Sequence, residues 1–388
     1  MVFADKKWIG CLGLCLFLQS CTQIDDYLLG KDNTPKPTSM APLSSSQSIK
    51  TIWSMPVGKS KHSGNYLKLN PHIQGNTLFI ADSTGRVQAI DKNTGKVHWT
   101  KTFKQGLVSG PVVSGDYLAL GTNNSHVLLL KTQNGDLVWE KSVSGDVLSA
   151  PLFVSDALVV KSIDGNVYAF ELKTGVRRFV VEHGAPNLIL KASASPVKMG
   201  NLILVGFSDG KLDAVELATG HVVWQRSISY ASGSSDVERL VDIDADPIIK
   251  GELVYLASYQ GEIGALSLKT GQFLWHKPAS TYKNLAYDNN TIYMTDSDDV
   301  IWAYDMSSGQ VKWKQEGLKA RGVTEPVIMG QYVLLGDKTG LLHVINKQHG
   351  SFLSRFQQSG AIEVAPSVSG DKIYVLAAGV LSCISLRG

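Results

Sequence analysis

Aspartates at alternate positions are the most concentrated chemistry in this chain. Asp242, Asp244 and Asp246 close a stretch, 236 to 246, that holds five acidic residues and a single base, Arg239. Extended backbone sends alternate side chains to one face, so the three carboxylates would stand side by side. Like charges so placed repel. A bound cation, Arg239 or a partner's basic group would relieve them; a solvated acidic rim would need no partner. The spacing also matches the start of a calcium loop. Pro247 stands where such a loop needs Gly, however, and Leu253 where it needs the bidentate Glu, which argues against a metal.

A second stretch, Asn187-Leu188-Ile189-Leu190-Lys191, places Leu188 and Leu190 outside the regular strand pattern described below. They fit exposed apolar anchors, or an extension of a buried strand. Apolar anchors beside a negative patch suit protein binding: the first supply affinity and the second sets register. No catalytic group emerges. The chain has no phosphate loop and no dinucleotide fingerprint. Its nine His are scattered, and none pairs with Glu at metalloprotease spacing. No cofactor, no metal and no enzymatic activity are expected. A net charge of +3 without a long basic run excludes a dedicated nucleic-acid binder.

These stretches interrupt a repeat. Thr-Gly followed by Trp four residues after the Gly occurs at Thr94-Gly95 with Trp99, Thr219-Gly220 with Trp224 and Thr270-Gly271 with Trp275. Asn134-Gly135 with Trp139 and Ser308-Gly309 with Trp313 are close variants; Phe179 and Ser354 hold the Trp place in two further copies. Pro71, Pro111, Pro151, Pro196, Pro247, Pro326 and Pro366, with Leu285 in the copy lacking Pro, each open two apolar runs joined by a turn. Eight copies of about 40 residues, each reading as four short strands, predict an all-β, eight-bladed β-propeller with four antiparallel strands per blade. The last copy stops after its third strand, near Leu386, and Trp53 is an eighth Trp-position residue with no strands before it. Residues 51 to 55 should therefore close the ring as the fourth strand of the last blade. The Trp rings should cover the gap to the next blade, and the Gly residues should turn with positive φ.

From the Trp position to the next Pro position, regular copies take 12 residues; Trp53 to Pro71 takes 18, Phe179 to Pro196 takes 17 and Trp224 to Pro247 takes 23. All three are outer-to-inner connections and must lie on one face, where loops carry function. The last two are consecutive and can form one surface.

The 388 residues are 44% hydrophobic and 18% charged, ample for a large core. At the N-terminus, Lys6 and Lys7 precede an apolar run from Trp8 to Leu18, too short to span a bilayer and fitted to a signal peptide. It ends in Leu18-Gln19-Ser20-Cys21, which resembles a bacterial lipobox, with Gln19 a departure from the usual small or β-branched residue. The expected division is a signal over 1–20, lipidated Cys21 with a flexible tether over 21–49, and the propeller over 50–388. Resemblance to proteobacterial lipoproteins, in which Asp after the Cys favours inner-membrane retention, makes Thr22 point to the outer membrane. Only Cys383 remains for the folded part, as a buried small hydrophobe.

The repeat Ala89-Ile90-Asp91, two residues, Thr94-Gly95, three residues, Trp99 resembles that of pyrroloquinoline-quinone propellers, and returns at Ala214-Val215-Glu216 and Ala303-Tyr304-Asp305. Two families share it: the quinoprotein alcohol dehydrogenases, and the BamB lipoproteins of the outer-membrane β-barrel assembly machinery, which bind no quinone. The lipobox, tether and length resemble the second, and the adjacent Cys pair of the first is missing. The segments 187–191 and 238–244 resemble the two that contact BamA in that family, with Lys191 in place of the family's Arg. Lys keeps the charge but loses the planar fork. The resemblance implies a non-enzymatic periplasmic scaffold at the outer membrane. Leu188, Leu190, Lys191, Arg239, Asp242 and Asp244 would contact BamA POTRA domains. Other subunits of the complex, and nascent outer-membrane proteins by strand-edge pairing, would be further partners. A degenerate quinone dehydrogenase using the central funnel, or a lipoprotein with another ligand, are the alternatives.

Overall fold

The computed structural model describes residues 35–40, 42–43, 48–58, 67–230 and 234–387. The expected signal, Cys21 and most of the tether lie outside them. The described chain from Thr38 onward forms eight four-stranded antiparallel sheets, seven of them ordered from inner to outer strand along the sequence. Blades 1 to 7 span 72–102, 107–142, 152–181, 197–227, 248–279, 286–315 and 327–357. Blade 8 takes three strands from 367–387 and its outer strand from Ser48–Pro56, which pairs antiparallel with Val380–Arg387. Ring closure thus uses a longer strand than the 51–55 expected. The eight-bladed architecture itself is as the repeats predict.

The repeat residues explain the ring. In each blade the third strand sets a small or medium apolar residue opposite the Trp place: Ala89 faces Trp99, Leu129 faces Trp139, Ala265 faces Trp275 and Ala303 faces Trp313. Cys383, fully buried, faces Trp53 and so does the work of that Ala in blade 8. Each indole then reaches forward into the next blade. Trp99 Nε1 donates to the Thr132 carbonyl at 2.9 Å, Trp139 to Leu172 at 2.9 Å, Trp275 to Met306 at 2.8 Å, Trp313 to Lys347 at 2.9 Å and Trp53 to Lys92 at 3.2 Å. The accepting residue is always three before the Gly of the next Thr-Gly turn. That Gly has positive φ, and the indole lies on it: a Cβ on Gly135 would stand 2.7 Å from the Trp99 ring. Gly is required twice, for its backbone and for the space above it. Blade 4 departs from this, since Arg226, stacked on Trp224, covers Gly271.

One end of the tether is not free. Thr38 N–H donates to the Lys319 carbonyl at 3.0 Å, Arg321 donates to the Thr38 carbonyl at 3.2 Å, and Met40 packs on the apolar cluster around Trp313. Residues 38–40 therefore rest on the connection between blades 6 and 7, and residues 48–49 belong to the closing strand, both inside the span read as tether.

Candidate docking site

The connections between blades return along one face, where they also bond the hairpins between second and third strands. Ile243 N–H donates to Phe207 O of blade 4, and Tyr259 N–H of blade 5 donates to Asp242 O. The same path is taken by Val147, bonded to Thr122 O, and by Asp146, which accepts from Ile163 N–H. Counted back from Pro247 and Pro151, Asp242 matches Asp146 and Asp244 matches Leu148. So residues 242–246 are ordinary seam between two blades. The extra residues of this long connection lie before them.

That placement corrects the expectation for the acidic run. Asp242 and Asp244 are 0% and 1% exposed, so they form neither a solvated rim nor a surface open to a partner. Asp242 Oδ2 accepts the backbone N–H of Leu190 at 2.7 Å. Asp246 accepts the Ser195 N–H at 2.6 Å and pairs with Lys68. Relief of the clustered charge comes from Lys161 and Lys68, which no sequence motif flagged. Lys161 is buried at 3% exposure, donates to the Gly206 carbonyl and lies 5.2 Å from the Phe207 ring centroid. Arg239 is elsewhere, pairing at 2.9 Å with exposed Asp236.

Burial raises the Asp242 carboxyl to about 6 against the pull of the Leu190 amide. Burial and the neighbouring Asp242 carry Asp244 well above the ordinary range, and burial pushes Lys161 down while Asp244 pulls it up. Removing one member of such a cluster strands the others, which makes the set costly to break.

Lys68 spans the molecule. It precedes blade 1, yet its Nζ reaches Asp246 just before blade 5 and, at the edge of hydrogen-bonding range, the Asp244 carbonyl, Ser195 just before blade 4 and Asn284 just before blade 6. Blades 1 and 5 are opposite in an eight-membered ring, so this ammonium crosses the axis. Toward the connection face the channel widens into a cavity of about 310 Å³, and Leu190 and Lys191 form part of its wall.

The other long connection has its own clamp. His183 lies between Asp213 and Asp209, with 3.1 Å from Nδ1 and Nε2 respectively, and stacks on Phe207 at 3.6 Å and 3°. Burial alone would lower its pKa; the two carboxylates overcome that and raise it to about 9, while His183 and Lys211 hold Asp209 at about 2. The imidazolium is therefore the resident form. Between these fixtures the chain rises to solvent. Leu188 is 41% exposed, Leu190 is half-buried and Lys191 is exposed. Tyr230 at 79% and Val237 at 58% are exposed apolar residues on the other long connection, passed over in the sequence because single apolar residues in a polar loop carry no period.

An eight-bladed propeller built on quinone-type repeats, with reinforced connections on one face, defines the class. The sequence profile of the family described as "Outer membrane protein assembly factor BamB" matches residues 48–116 and 83–315. A protein of that name in Legionella pneumophila (strain Paris) is 51% identical over 94% of both chains. The one in Pseudomonas aeruginosa is 35% identical, over 84% of this chain and 86% of its own. The crystal structure of BamB from Moraxella catarrhalis superposes with a TM-score of 0.79 at 24% identity, covering 87% of this chain and all of that one. A europium-containing methanol dehydrogenase reaches 0.69 at 13% identity over 87% of this chain and 93% of its own, which is a likeness of fold. The chain belongs to the BamB family of outer membrane protein assembly factors.

Proposed function

We propose that this protein is a non-enzymatic scaffold, lipid-anchored to the outer membrane through Cys21 and facing the periplasm, that docks a POTRA domain of BamA and thereby serves the other subunits of the assembly complex and the insertion of outer-membrane proteins. The observation that carries this reading is the lock between Asp242 and Leu190, which joins two long connections into one presented surface. Leu188, the open part of Leu190, Tyr230 and Val237 would supply apolar contact, with Lys191 and Arg239 as charged rim. Asp242 and Asp244, being buried, act as positioning residues rather than contacts. The quinone alternative has the Lys68 ion pair against it, since that side chain occupies the axis.

Calorimetric titration of the full chain in detergent with the periplasmic segment of BamA tests the proposal. Saturable binding, weakened by Leu188→Asp with Lys191→Glu, supports it. Absence of binding by the unaltered chain overturns it and turns attention to quinone-dependent dye reduction. Metabolic labelling with palmitate, present in the natural chain and absent in Cys21→Ser, tests the anchor.

A further inference from the structure

The funnel above Lys68 shares Leu190 and Lys191 with the docking surface, and the rest of its lining is separate. Its inner wall is apolar, with Leu69, Ile80 and Val364. At its mouth stand Arg86, Lys191 and Lys338, all exposed, and none of them forms an ion pair among the described residues. Lys283, deeper in the wall, is neutralised by Asp299 at 2.7 Å. Two acids, Asp82 and Glu363, share the wall with these cations. Asp82 Oδ1 already accepts the Thr84 and Arg86 amides, but its Oδ2 is buried without a donor.

An occupant that suits this cavity brings three things together: an apolar group for the wall, an anion for the cationic mouth, and an N–H donor for Asp82. We propose that the funnel is a second binding site, for an extended polypeptide segment that carries an acidic residue next to a large apolar one. A fatty acid offers the first two features and no donor. A volume of about 310 Å³ is at the lower end of ligand pockets and suits one large side chain with its flanking backbone rather than a folded domain. The apolar side chain enters the funnel, its carboxylate neighbour stays at the rim near Lys191 and Lys338, and the amide between them faces Asp82. Charge at the rim then selects among segments, as charge does at interfaces generally.

Fluorescence anisotropy tests this without any BamA present, so its outcome is separate from that of the docking proposal. The full chain in detergent is titrated with a labelled, end-capped Gly-Ser-Glu-Phe-Ser-Gly peptide, with versions carrying Lys for Glu or Ala for Phe, and with laurate as competitor. The unaltered chain should bind the Glu-Phe peptide saturably and weaken by about tenfold or more with either replacement. Lys191→Glu with Lys338→Glu should reverse the preference to the Lys peptide. Both side chains are exposed, so this variant keeps the fold. Ala361→Trp, which fills the cavity from a half-buried wall position, should abolish binding. No saturable binding, equal affinity for the Glu and Lys peptides, or capture of laurate in place of peptide would overturn the proposal.

Discussion

The backbone N–H of Leu190 donates to Asp242 Oδ2 at 2.7 Å, across 52 residues of chain, and ties the two long connections together alongside the bond from Ser195 N–H to Asp246. One end of the bond lies in a buried charge cluster; the other lies two residues from exposed Leu188. Surface shape here is set from below.

Removing the acceptor should release the loop. Asp242→Ala leaves the Leu190 amide without a partner and Lys161 short of a countercharge, and should cost about 2–4 kcal/mol in urea unfolding, with faster hydrogen exchange at Leu190. Asp242→Asn retains an amide oxygen at the same place. It should cost less than half as much and keep Leu190 protected. Equal losses in both variants would mean that the bond does not hold the loop.

The same residue links stability to pH. The fold raises Asp242 to about 6, above its ordinary 3.8, so the folded state favours its neutral form. The contribution is complete below about pH 4 and is lost as pH rises through 6, amounting to about 3 kcal/mol. Urea titrations from pH 4 to 7.5 should show Asp242→Asn with a flatter profile than the natural chain over that window.

His183 acts in a higher window. Its folded pKa of about 9 exceeds the ordinary 6.5, so the stabilisation by Asp209 and Asp213 is full below pH 6.5 and fades as pH passes 9, again about 3 kcal/mol in size. His183→Gln should remove the decline between pH 7 and 9.5 and lower stability at pH 7. An unchanged alkaline profile in the variant would contradict the clamp.

Much of the ring was legible because repetition states the same physics eight times. Trp99, Trp139, Trp275 and Trp313 mark outer strands whatever else varies, and Trp53 without preceding strands disclosed the closure. The charge cluster was harder. Measuring from Trp224 to Pro247 as one loop hid the fact that 242–246 follow the ordinary seam, and so turned buried Asp242 and Asp244 into apparent surface. A signal was available at Lys161, which stands where other blades have Ala81, Gly121, Gly206, Ala257, Thr295, Gly336 and Leu376. A charge at a repeat position that is otherwise uncharged asks for a countercharge. His183 gave no such hint, because its partners are 26 and 30 residues away and meet it only through the fold.

The blade clasp separates two costs that a glycine can carry. Gly135 and Gly115 both have positive φ, +73° and +56°, but a Cβ at Gly135 meets the Trp99 ring while one at Gly115 meets nothing within 4 Å. Gly115→Ala should lose about 1 kcal/mol, the price of the backbone alone. Gly135→Ala should lose about 3 kcal/mol or more, because the indole must also leave its place and its bond to the Thr132 carbonyl at 2.9 Å. Paired urea unfolding curves settle the difference.

Surface and support should separate in partner binding. Leu188→Asp changes a 41% exposed side chain, so thermal unfolding should stay within about 0.5 kcal/mol of the natural chain while affinity for the BamA segment falls by about 2 kcal/mol, near thirtyfold. Asp244→Lys places a third ammonium beside Lys161 and Lys68 in a site 1% exposed, and should unfold at markedly lower temperature with binding lost as a consequence. Asp244→Asn removes the charge and keeps the shape. If Asp244 touched the partner directly, Asn would weaken binding while stability held. If it positions the loop, binding by the Asn variant will follow its stability, falling only to the extent that Leu190 loses protection from exchange. Calorimetry and exchange on the same three variants distinguish the two, and the burial of Asp244 predicts the second result.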